Sequence, residues 1–142
     1  MIHCTQMESH EIIGLAKSGA IAGLCPMTES SLGDGIFEGT EWFKHTGSIA
    51  IGSDSNIRIS LSEELRTLEY SQRLRDKSRS VLATGEKSTG RRLFEEIYKG
   101  GAQWMGASVD NTSGTMFVNT SSIPSFTWIE KIKSINSYYR YN

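Results

Sequence analysis

Two short apolar runs constrain the fold of this chain more than any other feature. Residues 20–25 read AIAGLC and residues 48–51 read SIAI. Runs of this length that do not alternate with polar residues are typical of strands buried on both faces, as in a parallel sheet. The short run IHCT at residues 2–5 predicts a third strand, which gives three in all.

Segments with helical character separate the predicted strands. Ser60 and Glu63 have the spacing of a capping box, which predicts a helix over residues 62–83 with Glu69 and Arg73 paired at i,i+4. In a last helix over residues 91–106, Gly100 and Gly101 either break the helix or allow close packing. A helix over 8–18, a short helix over 41–47 and a polar, glycine-containing loop over 27–40 complete the prediction.

The alternation of strands and helices predicts an α/β fold with parallel strands and right-handed crossovers. A closed eight-stranded α/β barrel usually needs about 250 residues, and this chain has 142. The sequence therefore predicts either a small open sheet or part of a larger one, confined to residues 1–106. Residues 107–142 are rich in Ser, Thr and Asn and lack periodicity, so we expect an irregular or disordered tail there.

Composition excludes several classes of protein. The formal net charge of −1 offers no basic field for nucleic acid. No apolar run approaches the roughly 20 residues that span a bilayer, and neither GxGxxG nor GxxxxGK[ST] is present to indicate a nucleotide-binding domain. The two cysteines, Cys4 and Cys25, form no CxxC pair, which favours a reducing, cytoplasmic setting.

The carboxyl ends of the predicted strands are where chemistry is expected, since ligands collect there in parallel α/β folds. His3 lies at the end of the first strand, the segment from Pro26 to Gly35 follows the second, and Asp54 follows the third. Histidine and aspartate together suit a hydrolytic metal site. Taken singly, Asp54 also reads as a turn or helix-cap residue and His3 as a hydrogen-bonded structural residue. Neither HxH nor HExxH supplies further ligands.

Four segments resemble the C-terminal part of the formimidoylglutamate deiminases, a family of the amidohydrolase superfamily. They are IHCTQM, GAIAGLCPMTESSLGDGIF, GSIAIGSDSNIRISLSEELRTLEYSQRLRD and STGRRLFEEIYKGGAQ, which together span about residues 2–106. A bare GSDS is a weak signal, whereas the combination is specific. The resemblance implies strands six to eight of a (β/α)8 barrel whose C-terminal mouth holds a divalent metal, commonly zinc.

The resemblance also implies roles for individual residues. Asp54 matches the aspartate after the eighth strand, which ligates metal and acts as the base toward water. His3 matches the histidine after the sixth strand, which polarises the formimino carbon. The segment after the seventh strand lines the substrate pocket, and its matching residues here are Thr28, Glu29, Gly33, Asp34 and Gly35.

The implied reaction is hydrolysis of N-formimino-L-glutamate to N-formyl-L-glutamate and ammonia, a step of histidine degradation. The family's other metal ligands and its glutamate proton shuttle have no counterpart in this sequence, and Gln6 stands where many relatives have a second histidine. We therefore expect a truncated enzyme, completed by an N-terminal half or by another copy. The alternative is an inactive fragment or interaction remnant.

Overall fold

The structure is a computed structural model that describes residues 1–106, all within one compact unit. The predicted tail at 107–142 lies outside the described residues. Within the described part there are five helices and two strands, in the order α1 Ser9–Lys17, β1 Ile21–Leu24, α2 Pro26–Leu32, α3 Gly39–Lys44, β2 Ser48–Ile51, α4 Leu61–Asp76 and α5 Thr89–Trp104.

The two strands pair in parallel, as predicted. Ile21 lies opposite Ser48 and Leu24 opposite Ile51, and the Gly52 N–H extends the ladder by donating to the Leu24 carbonyl at 2.9 Å. Parallel neighbours bring their carboxyl ends to the same edge of a sheet. The candidate residues named from the sequence, which come after the predicted strands, are expected at this edge.

The predicted strand at residues 2–5 is mostly wrong, because it is reduced to one parallel bridge between Ile2 and Gly23. The Gly23 N–H donates to the Met1 carbonyl at 2.7 Å, and the His3 N–H donates to the Gly23 carbonyl at 2.8 Å. His3 and Cys4 then adopt φ values of 64° and 57°. This left-handed conformation is incompatible with an extended strand, so the strand ends after Ile2.

Helix α2 corrects the prediction of a loop over residues 27–40. Pro26 occupies the first turn, where its missing N–H costs nothing, and Gly33 closes the helix with a φ of 72°. Proline at the start and glycine just past the end are recognised signals of a helix. The polar composition between them obscured these signals.

Helix α4 ends at Asp76 and not at the predicted residue 83. Lys77 closes it in a left-handed conformation, with a φ of 50°. The chain then folds back, and the buried Glu69 carboxylate accepts the N–H groups of Val81 at 2.9 Å and Leu82 at 3.0 Å. The predicted Glu69–Arg73 pair does form, at 2.6 Å. Burial of Leu82 in the core, at 0% exposure, favours this reversal over a longer helix.

The other predicted helices correspond to α1, α3 and α5, with ends that differ by one to three residues. Gly100 does not break α5; it is buried where this helix packs against β2. The core lies between the sheet and these helices, with Trp42, Leu24 and Ile49 fully buried. In the described part of the chain, no helix is both long and apolar enough to cross a membrane.

Candidate functional site

Three chemically active side chains meet at the carboxyl edge of the sheet. His3 directly follows the bridge residue Ile2, Cys25 directly follows β1, and Asp54 lies three residues beyond β2. One ligand atom from each residue, the imidazole nitrogen, the thiol sulfur and a carboxylate oxygen, lies within 4.8 Å of the other two. Sequence reasoning anticipated the meeting of His3 and Asp54 and missed Cys25.

The His3 ring lies between two carboxylates. Its Nδ1 is 3.2 Å from Glu29 Oε1, and its Nε2 is 3.7 Å from Asp54 Oδ2. The side chains of His3 and Asp54 are 35% and 39% exposed, whereas that of Glu29 is 5% exposed. His3 and Asp54 are therefore open to a small molecule from solvent, while Glu29 supports the ring from the protein side.

The backbone of this edge is held in an uncommon conformation. His3 and Asp54 have φ values of 64° and 52°. Aspartate and histidine tolerate the left-handed region better than most residues, but it still carries a cost for any side chain with a Cβ. Such conformations cluster at functional sites, which agrees with a functional role for this edge.

Burial makes Cys25 a thiol at neutral pH. Desolvation raises the pKa of the Cys25 side chain to about 11, and the negative charges of Glu29, Asp54 and Glu64 add to the rise. A nucleophilic cysteine needs the opposite environment, with a positive neighbour. Cys25 therefore does not fit the role of a nucleophile. Its position at a strand end, shared with His3 and Asp54, was the signal that could have identified it.

Glu64 of α4 contacts the same region and is 1% exposed. Its Oε2 accepts the Met27 N–H at 2.8 Å, near the start of α2. Its Oε1 is buried and has no hydrogen-bond partner among residues 1–106. Desolvation raises the pKa of this carboxyl, and the nearby charges of Glu29 and Glu63 add to the rise. Nothing in its sequence context predicted this burial.

The structure separates the five predicted substrate-pocket residues into two groups. Thr28 and Glu29 are buried, and the Thr28 hydroxyl donates to the Ser53 carbonyl at 3.0 Å, which ties α2 to the segment before Asp54. Gly33, Asp34 and Gly35 lie beyond the end of α2 and are exposed or half-buried.

Gln6 contacts the group formed by Gly33, Asp34 and Gly35. Its Nε2 donates to the Asp34 carbonyl at 2.5 Å. Gly35 has a φ of 107°, and a Cβ on it would lie 2.8 Å from the same Gln6 nitrogen. A side chain at Gly35 would therefore disturb this contact.

The donor set of the site fits part of a zinc centre. Imidazole nitrogen, carboxylate oxygen and sulfur are the ligands that zinc takes in proteins. The geometry also fits, because the three donor atoms already lie within 4.8 Å of one another. Asp54 and His3 are accessible, whereas Cys25 would have to lose its proton first. A catalytic site normally has three protein ligands, so a further ligand set is needed if only Asp54 coordinates.

Comparison with known proteins shows similarity to a curated relative and to a solved structure. The chain is 44% identical over 110 residues to a formimidoylglutamate deiminase from Pseudomonas aeruginosa, which covers 77% of this chain and 24% of that protein. The crystal structure of an amidohydrolase from Brucella melitensis matches with a TM-score of 0.72 and 54% identity, over 74% of this chain and 23% of that one. No protein-family model matches the sequence.

The chain thus spans about a quarter of the length of the proteins that it matches. Within that span the likeness extends to both sequence and structure, and the mixed helices and strands of the described residues agree with an α/β piece of an amidohydrolase. The similarity of this chain to formimidoylglutamate deiminase, an enzyme of the amidohydrolase superfamily, is therefore confirmed.

Proposed function

We propose that this chain forms the part of a metal-dependent deiminase that carries the base and a proton-transfer histidine. The substrate would be N-formimino-L-glutamate, and the products N-formyl-L-glutamate and ammonia. The observation that carries the proposal is the convergence of His3 and Asp54, 3.7 Å apart, at the carboxyl edge of a parallel sheet. The 44% identity to a formimidoylglutamate deiminase supports the choice of reaction.

Asp54 would serve as one protein ligand of the metal, and the remaining ligands would come from sequence outside this chain. The first observation in favour is that the chain matches only about a quarter of each relative. The second is exposure, since Ile2, Ile57 and Ile59 are 55%, 100% and 76% exposed. Ile57 and Ile59 are two residues apart, and contiguous exposed apolar side chains are typical of surfaces that other protein segments cover.

The residues of this chain would each handle a proton at a stated point in the reaction. As water attacks the formimino carbon, a C–O bond forms and the C=N electron pair moves to nitrogen. Asp54 would accept the proton that the water loses and return it to the former imino nitrogen. Nε2 of His3 would take the remaining hydroxyl proton of this tetrahedral adduct and donate it to the same nitrogen, which polarises the carbon–nitrogen bond. The C–O bond becomes C=O as the C–N bond breaks, and the nitrogen leaves as ammonia. A bound divalent metal would supply Lewis acidity and make the water more acidic.

We further propose that the exposed residues beyond α2 contact the substrate, whereas the buried ones shape the site. Gly33, Asp34 and Gly35 are exposed or half-buried, and the Asp34 carbonyl accepts from the side chain of Gln6, three residues beyond His3. Thr28 and Glu29 are buried and engaged with protein atoms, so their contribution would be structural. We place the reaction in the cytoplasm, in keeping with two free, buried thiols among the described residues.

The test is a chimera in which residues 1–106 replace the matching segment of the Pseudomonas aeruginosa relative. We expect ammonia release from formiminoglutamate, because the segment would supply the base and His3 to a complete ligand set. A folded, metal-loaded chimera without ammonia release would contradict the proposal and favour an inactive remnant. The same chimera carrying the Asp76→Asn substitution in α4, remote in sequence from all three strand-end residues, serves as the matched control.

A further inference from the structure

We propose that Glu29 is a positioning residue that holds the His3 ring with a hydrogen on Nδ1, so that Nε2 faces Asp54. The catalytic value of this arrangement rests on the proposed function, whereas the arrangement itself does not. The sequence resemblance placed Glu29 in the substrate pocket. In the structure only 4% of this residue is exposed, so direct contact with a substrate is disfavoured.

The position of the hydrogen on His3 Nδ1 follows from a second contact made by Glu29 Oε1, the oxygen that faces this nitrogen. Glu29 Oε1 accepts the Cys25 N–H at 2.7 Å and is also the atom that faces His3 Nδ1, at 3.2 Å. A backbone N–H can only donate, so Oε1 is already an acceptor. If the carboxyl carries a proton, Oε2 is the favoured position, because the unprotonated oxygen is the better acceptor for the Cys25 N–H. The contact at 3.2 Å is then a hydrogen bond in which Nδ1 of His3 donates.

The fold fixes the position of Glu29 more firmly than that of an ordinary surface glutamate. Its own N–H donates to the Cys25 carbonyl at 2.9 Å, in the first turn of α2. Pro26 begins this helix and limits the conformations available to its first turn. Glu29 therefore contacts Cys25 twice: its backbone N–H donates to the Cys25 carbonyl, and its carboxylate accepts the Cys25 N–H. This closed arrangement directs Oε1 at the imidazole.

The consequence for His3 concerns its second nitrogen. In a neutral imidazole with a hydrogen on Nδ1, Nε2 has a lone pair and can accept a proton. Nε2 is 3.7 Å from Asp54 Oδ2, beyond direct hydrogen-bond distance. A reacting group can therefore approach both atoms from solvent. Holding a histidine in one tautomer through a carboxylate on the far nitrogen is an established way to orient a catalytic ring.

The tautomer can be measured directly on the 142-residue chain through the nitrogen-15 chemical shifts of its imidazole rings. The chain has three histidines, and His45 provides an internal reference of opposite kind, because its Nε2 faces Glu41 Oε1 at 2.9 Å. We expect a hydrogen on Nδ1 in His3 and on Nε2 in His45. Solution spectra serve for a monomer, and magic-angle-spinning spectra serve for an associated sample.

Two substitutions distinguish loss of the Glu29–His3 hydrogen bond from loss of the fold. Glu29→Gln keeps an oxygen that accepts from both donors, so the Nδ1–H form of His3 should persist. Glu29→Leu removes the acceptor, and the preference for Nδ1–H should fall by about tenfold or more, the scale of a hydrogen bond to a charged group. Glu41→Leu is the matched control, which should alter His45 alone. The Trp42 indole N–H, bonded to the Ser48 carbonyl, reports whether each variant is folded.

A wild-type His3 with its hydrogen on Nε2 would overturn the proposal, as would an unchanged tautomer in folded Glu29→Leu. If Glu29→Leu does not fold, the wild-type and Glu29→Gln spectra still decide, because loss of the Nδ1–H form in either contradicts the assignment. None of these measurements uses enzymatic activity. An Nδ1–H tautomer in a chimera that releases no ammonia would therefore refute the proposed function and leave the role of Glu29 intact.

Discussion

The packing of α5 on β2 depends on the absence of a side chain at Gly100. A Cβ at this position would lie 2.8 Å from the Ile49 carbonyl carbon and closer still to its oxygen, whereas ordinary contacts of a Cβ begin near 3.4 Å. Both atoms are backbone in the middle of a strand, so no rotamer change can relieve the overlap. The helix would have to move away from the sheet.

We therefore expect Gly100→Ala to destabilise the chain by about 2 kcal/mol. Inserting atoms into a packed core costs about 1–3 kcal/mol, and a backbone clash falls at or above the upper end of that range. The higher helix propensity of alanine returns roughly 1 kcal/mol. For a domain of this size such a loss lowers the melting temperature by about 10 °C.

Gly101 is the matched control, because it is the next residue of the same helix and a Cβ on it would meet no atom of the described residues within 4 Å. Gly101→Ala should raise stability by up to about 1 kcal/mol through helix propensity alone. Urea unfolding of both variants, followed by circular dichroism, measures the difference. Equal stabilities of the two variants would refute the close packing of α5 on β2.

Three further predictions concern burial. Gln72→Leu should cost about 1–3 kcal/mol in urea unfolding. The Phe37 carbonyl and the Gly39 N–H lose their side-chain partner in the core and keep only the bond to each other, at 2.9 Å; an unchanged urea midpoint would contradict this. Burial raises the pKa of Glu64 above the ordinary 4.5, so its protonated form stabilises the fold below that pH and this contribution is lost as pH rises. The urea midpoint of Glu64→Gln relative to wild type should thus increase from about pH 4 to about pH 7, and a constant difference would refute the assignment. The isolated chain should associate in light scattering, because Ile57 and Ile59 are 100% and 76% exposed, whereas a stable monomer would argue against a covered surface.

The sequence allowed the parallel strands and the meeting of His3 with Asp54 to be predicted, because both follow from chain order. Apolar runs separated by helices imply parallel pairing, and parallel strands share a carboxyl edge. The role of Glu29 could not be predicted in this way. Its hydrogen bonds depend on α2 beginning at Pro26, a helix that the polar composition of residues 27–40 concealed.

Long-range contacts account for the other differences. Helix α4 stops at Asp76 because the Glu69 carboxylate binds the N–H groups of Val81 and Leu82, which are 12 and 13 residues away in sequence. Local propensity favoured a continued helix, and tertiary burial of Leu82 outweighed it. The burial of Glu64 likewise depends on which helix covers which strand end, a property of packing and not of sequence period.

The most direct test of the central claim is ammonia release per bound metal in the chimera described above. If Asp54 is the base and a metal ligand, Asp54→Asn should lower turnover of formiminoglutamate by at least about 10²-fold and reduce metal content as well. His3→Asn should lower turnover with metal content retained, and Asp76→Asn should match the unsubstituted chimera in both measurements. Near-normal turnover in Asp54→Asn would contradict the account and leave Asp54 as a turn residue at the end of a strand.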